Sequence, residues 1–148
     1  MLTLPQATEA EVEDAWLFLH LLFETIWRYR FIYRDLAGLS ARSRRIARQV
    51  REVLQAKTQA ARRLCTGLAA RGLLRAQPRE IEALAINMVV VCTGWLQFDA
   101  VARARGPHSG APSPLAQGAF QVLALTAAYL DGDARRLFER LASDYLEE

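Results

Sequence analysis

The chain has 148 residues, of which 52% are hydrophobic and 24% are charged. This composition is typical of a single globular domain that can bury one core, and it excludes the disordered and collagen-like classes. The formal net charge of +3 hides a basic block, because nine arginines and the only lysine lie between residues 41 and 75 against one acid, Glu52.

The N-terminal segment lacks the features of an export signal. MLTLPQATEAEVED becomes acidic where a signal peptide needs a basic start and a long apolar run. The densest apolar run, from Met88 to Leu96, is well short of the ~20 residues that span a bilayer. We therefore expect a soluble, cytoplasmic protein with no membrane partner.

The first predicted helix begins near Thr8 and is central to the domain. Thr8 and Glu11 have the spacing of a capping box, in which each side chain satisfies a free backbone donor at a helix start. Apolar residues fill every face of the segment that follows, which predicts a helix surrounded by protein. Gly38 is predicted to end this helix and Ser40 to cap the next one.

The second predicted helix runs from about residue 41 to residue 71. Its apolar stripe includes Ile46, Val50 and Leu64, and most of its arginines fall outside that stripe. The basic block is therefore predicted to be mostly a solvated helix face. Gly72 is predicted to close this helix.

Three further helices are predicted, which makes the chain an all-α bundle of five to six helices in one domain. The third begins at Pro78 or Arg79, ends near Arg103, and is apolar on nearly every side, so we expect a partner subunit to cover it. After a loop at residues 106–114, Ser113 and Pro114 are predicted to start a helix that runs to about Leu130. Asp131, Gly132 and Asp133 are predicted to end it and to cap a short last helix.

The stretch WRYRFIYRDL, residues 27–36, alternates aromatic residues and arginines. Such a pattern fits a nucleic-acid surface, a buried corner of the core, or the wall of a ligand pocket. Helical phasing from the apolar residues before it predicts that Arg30 and Arg34 point inward. A buried guanidinium needs a carboxylate, backbone carbonyls or a ligand anion, and the sequence leaves these alternatives open.

Lys57 poses the same question, because it falls in the middle of the second helix's apolar stripe. Its ammonium group can reach solvent along its own alkyl stem, or it can contact a ligand. The large side chains of this chain can also leave irregular gaps between helices, where small molecules bind. The candidate ligand pocket consists of aromatic, cationic and sulfur-bearing residues: Trp16, Phe23, Trp27, Arg30, Phe31, Tyr33, Arg34, Lys57 and Met88.

No catalytic or metal-binding signature is present. The sequence lacks a glycine-rich phosphate loop, HExxH and GxSxG, so we expect neither an enzyme nor a bound cofactor. Cys65 and Cys92 stand apart from any second Cys or His ligand and are predicted to be buried apolar thiols. Of the two histidines, His20 lies within an apolar helix and His108 lies in the predicted loop.

Four segments together resemble the C-terminal regulatory domain of TetR/AcrR-family transcriptional regulators. They are FETIWRYRFIYRDLAGL, LAARGLLR, PREIEALAINMVVVCTGWLQF and YLDGDARRLFERLASDYL, and the similarity covers residues 8–148 in order. The resemblance implies an all-α domain that binds a small hydrophobic effector and forms a homodimer.

In that family the last two long helices of each subunit pack into a four-helix bundle. The resemblance places them at residues 79–104 and 114–130 of this chain. The implied dimer interface consists of apolar residues on these two helices: Val91, Trp95, Phe98, Leu115, Phe120 and Leu123.

The family binds DNA through an N-terminal helix-turn-helix, and nothing before Thr8 is expected to supply one. DNA is therefore expected to be a partner only through a headpiece that this chain lacks. Two alternatives remain open at this point. One is a helical dimerisation or protein-interaction module without a small molecule, and the other is direct nucleic-acid binding through the arginines between residues 42 and 63.

Overall fold

The computed structural model describes residues 22–102, 113–130 and 132–147, with the side chains of residues 141 and 144–147 left aside. The predicted capping box at Thr8, the candidate pocket residue Trp16, both histidines and most of the predicted loop lie outside the described residues. Seven helical segments are present in the described parts of the chain, and no strand occurs there. The prediction of an all-α fold is therefore confirmed.

The seven segments follow one another in chain order. The described part of α1 comprises residues 22–28. The others are α2 (Arg30–Tyr33), α3 (Leu36–Arg42), α4 (Arg44–Ala70), α5 (Pro78–Ala102), α6 (Pro114–Ala127) and α7 (Gly132–Glu147). An isolated antiparallel bridge between Leu74 and Leu130 ties the α4–α5 connection to the end of α6, and the backbone N–H of Arg75 donates to the carbonyl of Tyr129 over 2.8 Å.

The sequence predicted one continuous helix from about Thr8 to Gly38, and this prediction is wrong from Tyr29 onward. The helix is interrupted at Tyr29 (φ −105°, ψ 26°) and at Asp35 (φ −134°, ψ 38°), so that two short helices separate α1 from α4. Gly38 lies inside α3 instead of ending a helix. Ser43, and not Ser40, caps α4, because the hydroxyl of Ser43 accepts a hydrogen bond from the N–H of Ile46.

Gly38 lies inside α3, and the carboxylate of Asp35 occupies the space where its side chain would be. A Cβ placed at this position would overlap Oδ1 of Asp35. Asp35 precedes α3 and folds its carboxylate back over the first turn of that helix. The Asp35 side chain is exposed and can move aside, so Gly38 does not mark a helix end and a larger residue would require only a shift of that carboxylate.

The other helix boundaries agree closely with the sequence. Gly72 adopts a left-handed conformation (φ 73°) directly after α4, which a residue without Cβ accepts without strain. Pro78 begins α5, and Ser113 caps α6 by accepting a hydrogen bond from the N–H of Ala116 over 3.1 Å. The helix α6 ends at Ala127, slightly before the predicted Leu130.

The helix α5 forms the centre of the domain, since it packs against both α4 and α6. Leu84, Met88, Cys92 and Leu96 recur at helical spacing and face this core. Phe23 of α1 is fully buried in the same core. By length and composition alone, α5 is the one described helix that could cross a membrane, but it carries the buried acid Asp99 and its inner side is occupied by other helices.

A close contact brings α1, α5 and α6 together at Gly118. A Cβ on this glycine would lie 2.6 Å from Cδ1 of Trp95 and 2.7 Å from Cε1 of Phe23. The indole N–H of Trp95 also donates to the carbonyl of Pro114 over 2.9 Å. Phe23, which sequence reasoning placed in the ligand pocket, therefore belongs to this helix contact.

Candidate functional site

The arginines of WRYRFIYRDL point outward, and the prediction that Arg30 and Arg34 face the core is wrong. Both are exposed. The guanidinium of Arg30 donates to the carbonyl of Trp27 over 3.1 Å and lies 4.9 Å from the centre of the Trp27 ring. The interruption at Tyr29 changes the helical phase, so the apolar stripe of α1 cannot be continued through these residues.

Tyr33 and Lys57, in contrast, meet in the interior between α2 and α4. The Lys57 ammonium donates a hydrogen bond of 2.9 Å to the Tyr33 hydroxyl and lies 4.5 Å from the centre of its ring. Both side chains are half-buried. Two of the predicted pocket residues are therefore in direct contact, although 24 positions separate them in the sequence.

Lys57 also borders a small, partly open cavity between α1, α4, α5 and α6, which we call the enclosed cavity because these helices surround it. The volume of this cavity is about 30 Å³, enough for about one water molecule. Met88, another predicted pocket residue, lines it together with apolar neighbours and one thiol. The complete lining is Leu22, Lys57, Ala61, Leu64, Met88, Val89, Cys92 and Val122.

A second and much larger space lies on the other side of the Tyr33–Lys57 contact. We call it the outer groove; its volume is about 560 Å³, within the range of small-molecule sites, and it is open to solvent. Phe31 is 68% exposed along it, and Asp35 and Gln49 are its polar members apart from tyrosine hydroxyls. The complete lining is Tyr29, Phe31, Ile32, Tyr33, Asp35, Leu36, Leu39, Ile46, Gln49, Val50, Val53 and Leu54.

One wall of the outer groove was not predicted from the sequence. Ile46 and Val50 belong to the predicted apolar stripe of α4, and Leu54 lies on the same face. Leu36 and Leu39 of α3 form the opposite side. Because α2 and α3 are short and turn away from the first helix, the N-terminal half of this α4 face is only partly covered.

The charge of Lys57 extends into the enclosed cavity. Burial raises the pKa of the Cys92 thiol to about 11, and the positive charge of Lys57 opposes part of that rise. Burial alone raises the pKa of Cys65 to about 11, and its thiol contacts the Met88 sulfur at 3.8 Å. Both thiols are buried, as predicted. Among the described residues, no group of three His, Cys, Asp or Glu side chains could hold a metal ion.

The outer side of α5 is apolar and exposed. Val90 is 63% exposed, Phe98 64% and Val101 74%, and Ile86 continues this side one turn earlier. We call these four residues the outer face of α5. The ring of Phe98 lies 5.8 Å from that of Trp95, which is half-buried.

The predicted interface residues divide between this surface and the core. Phe98 is on the outer face of α5, and Val91, Leu115 and Phe120 are half-buried next to the core. Leu123 is only 6% exposed and packs inside the domain. The sequence did not identify Val90 and Val101 as exposed. Apolar residues occur all around α5, so their pattern does not show which side of the helix faces solvent.

The arrangement defines an all-helical domain with an apolar groove, an adjoining enclosed cavity and an uncovered apolar helix face. The model of the TetR family, described as a bacterial transcriptional repressor, matches residues 1–138. The chain therefore belongs to the TetR family of transcriptional regulators.

A solved structure supports the same assignment. The crystal structure of a TetR-family transcriptional regulator from Marinobacter aquaeolei VT8 superposes with a TM-score of 0.76 at 30% sequence identity. The match covers 90% of this chain and 63% of that protein, so the present chain spans less than two thirds of its relative. No protein with a curated description matches the chain.

Proposed function

We propose that this chain is the regulatory domain of a TetR-family regulator, in which a small hydrophobic effector controls DNA binding. The outer groove carries the effector proposal, because it combines a suitable volume with apolar walls and a polar contact, Tyr33–Lys57, at its inner end. DNA binding itself is assigned to a helix-turn-helix other than the helices described above. In this role the domain is cytoplasmic and has no catalytic function.

We also propose that the domain forms a homodimer through α5 and α6. The outer face of α5 supports this, because large exposed apolar patches on soluble domains mark interaction surfaces. The candidate contacts are the outer face of α5 together with Val91, Trp95, Leu115 and Phe120 at its margin. A two-fold interface of this kind would bring the same helix from each subunit together.

Light scattering of the purified chain tests the dimer. A dimer is expected for the wild type, and Val90→Glu should shift it to monomer, because a carboxylate would have to be buried without a partner. Gln55→Glu adds the same charge to an exposed position of α4 and should leave the dimer intact. A monomeric wild type at micromolar concentration would refute this part of the proposal.

A screen of hydrophobic compounds tests the effector site. Native mass spectrometry should detect a complex of one ligand per chain, and ligand should raise the melting temperature, since it binds only the folded state. Val50→Asp, which places a charge in the outer groove, should abolish binding. Glu52→Asp is its matched control, since Glu52 is exposed on the same helix and does not line the groove.

One observation favours a second function, a dimerisation module without a small molecule. The cavity beyond Lys57 has a volume of only about 30 Å³, too small for a hydrophobic effector. That function predicts a dimer by light scattering and no ligand in the screen. The two measurements together therefore separate the two functions.

A further inference from the structure

Lys57 stands at the boundary between the outer groove and the enclosed cavity. The same face of α4 carries Leu54, which lines the groove, and Ala61, which lines the cavity, with Lys57 between them. Tyr33 of α2 lines the groove and accepts the Lys57 hydrogen bond. Tyr33 therefore forms the inner end of the groove, and Lys57 lies directly behind it, bound to its hydroxyl.

The half-buried ammonium of Lys57 has few hydrogen-bond partners. Its three N–H donors meet one neutral hydroxyl, and no carboxylate among the described residues pairs with it. All other residues lining the enclosed cavity are apolar or carry sulfur. Removing a charge from water without an opposite charge is costly, so an anion at this point would be stabilised.

The Tyr33 hydroxyl adds a further donor in the same place. It accepts from Lys57, and its own proton remains available for an acceptor. An oxygen atom placed at the end of the groove could therefore receive one hydrogen bond from each residue. Hydrogen bonds to charged groups are shorter and stronger than neutral ones, which favours an ionised acceptor.

The other charged group of the groove does not compete for this position. Asp35 is exposed, and one of its carboxylate oxygens lies 3.6 Å from the Arg42 guanidinium. Its negative charge is therefore partly compensated at the outer side of the groove. The net effect is a groove whose inner end is positive and whose walls are apolar.

Building on the proposed effector function, we infer that the effector is an amphiphile with a compact anionic head group, such as a carboxylate. Lys57 and Tyr33 bind the head group, and the apolar body lies along the outer groove against Ile46, Val50 and Leu54. A cationic compound would meet the Lys57 charge at the same place and should bind least well. A neutral compound of the same length would leave the ammonium with its single hydroxyl partner.

Three probes with the same ten-carbon chain test this inference: decanoate, decan-1-ol and decylamine. Isothermal titration calorimetry on the full chain should give the tightest binding for decanoate, about tenfold or more tighter than for decanol, as expected for a hydrogen bond to a charged partner. Lys57→Met keeps an unbranched side chain but removes the charge. This variant should bind decanoate about tenfold more weakly than the wild type and should bind decanol with nearly the same affinity.

Tyr33→Phe and Arg63→Met complete the set of variants. Tyr33→Phe removes one hydrogen-bond donor and should weaken decanoate binding less than Lys57→Met does. It therefore tests the same contact if the lysine variant fails to fold. Arg63→Met removes one positive charge from an exposed position of the same helix and should bind decanoate as the wild type does. Circular dichroism establishes that each variant is folded.

The outcomes separate this inference from the proposed function. Equal affinity for decanoate and decanol, or an unchanged preference in Lys57→Met, would overturn the anionic head group and leave the effector site in place. Preferred binding of decylamine would do the same. If none of the three probes binds the folded wild type, the inference fails, and the compound screen alone decides the effector proposal.

Discussion

Gly118 offers a strict test of how closely α6 approaches α1 and α5. We expect Gly118→Ala to destabilise the domain, because the new methyl group would lie 2.6 Å from Cδ1 of Trp95 and 2.7 Å from Cε1 of Phe23. Neither ring can move away freely. Phe23 is fully buried, and the Trp95 indole is held by its hydrogen bond to the Pro114 carbonyl.

The size of the effect follows from two opposing contributions. Replacing a helical glycine by alanine stabilises a helix by about 0.8–1 kcal/mol. Forcing a methyl group into a closely packed contact typically costs about 1–3 kcal/mol. We therefore expect a net destabilisation of up to about 2 kcal/mol for Gly118→Ala.

Gly67→Ala is the matched control, because Gly67 lies within α4 and a Cβ there meets nothing within 4 Å. This variant should gain most of the helical contribution and become more stable by about 0.5–1 kcal/mol. Urea unfolding at one fixed protein concentration, followed by tryptophan fluorescence, measures both variants against the wild type. The reasoning is refuted if Gly118→Ala proves as stable as Gly67→Ala.

Two further predictions concern a helix cap and the buried thiols. Ser43→Ala should destabilise the domain by about 0.5–2 kcal/mol in urea unfolding, because the cap of α4 is lost. Ser40→Ala, inside α3, should change stability little. Equal effects of the two substitutions would contradict the helix boundary at Ser43. Because burial raises the pKa values of Cys65 and Cys92 to about 11, both thiols remain protonated below that pH, and iodoacetamide at pH 8 should label them only after unfolding. Mass spectrometry of the native protein showing rapid labelling would contradict this.

The sequence was sufficient to predict the helices whose ends are marked by capping residues, glycine or proline. Ser113–Pro114 and Gly72 mark boundaries through local backbone chemistry, which does not depend on the rest of the fold. The two interruptions around α2 carry no such signal. Neither glycine nor proline occurs between Tyr29 and Asp35, so helical periodicity was continued through a region where the chain turns.

The error at Arg30 and Arg34 follows directly from that missed turn. A change of phase at Tyr29 moves every later side chain to another side, so two residues expected in the core became exposed. Lys57 lies within the uninterrupted helix α4, and its unusual place in an apolar stripe was visible from the sequence. The contact between Lys57 and Tyr33 depends on how α2 packs against α4. Helical periodicity carries no information about that packing.

The enclosed cavity and the outer face lie on opposite sides of α5, which gives a reason to expect coupling between ligand binding and dimerisation. Met88 and Cys92 line the cavity, whereas Val90 is exposed, and two residues along a helix correspond to a rotation of about 200°. A head group bound at Lys57 would lie beside this cavity, so its binding can displace α5 relative to α4. A rigid helix would carry that displacement to its outer face.

Thermodynamic linkage then requires a reciprocal effect: a ligand that changes the dimer affinity must bind monomer and dimer with different affinities. The measurement is the decanoate affinity of the wild type and of the monomeric variant Val90→Glu under identical conditions. We expect the two affinities to differ by at least severalfold, as is typical of coupled sites. Identical affinities would show that the groove and the outer face of α5 act independently.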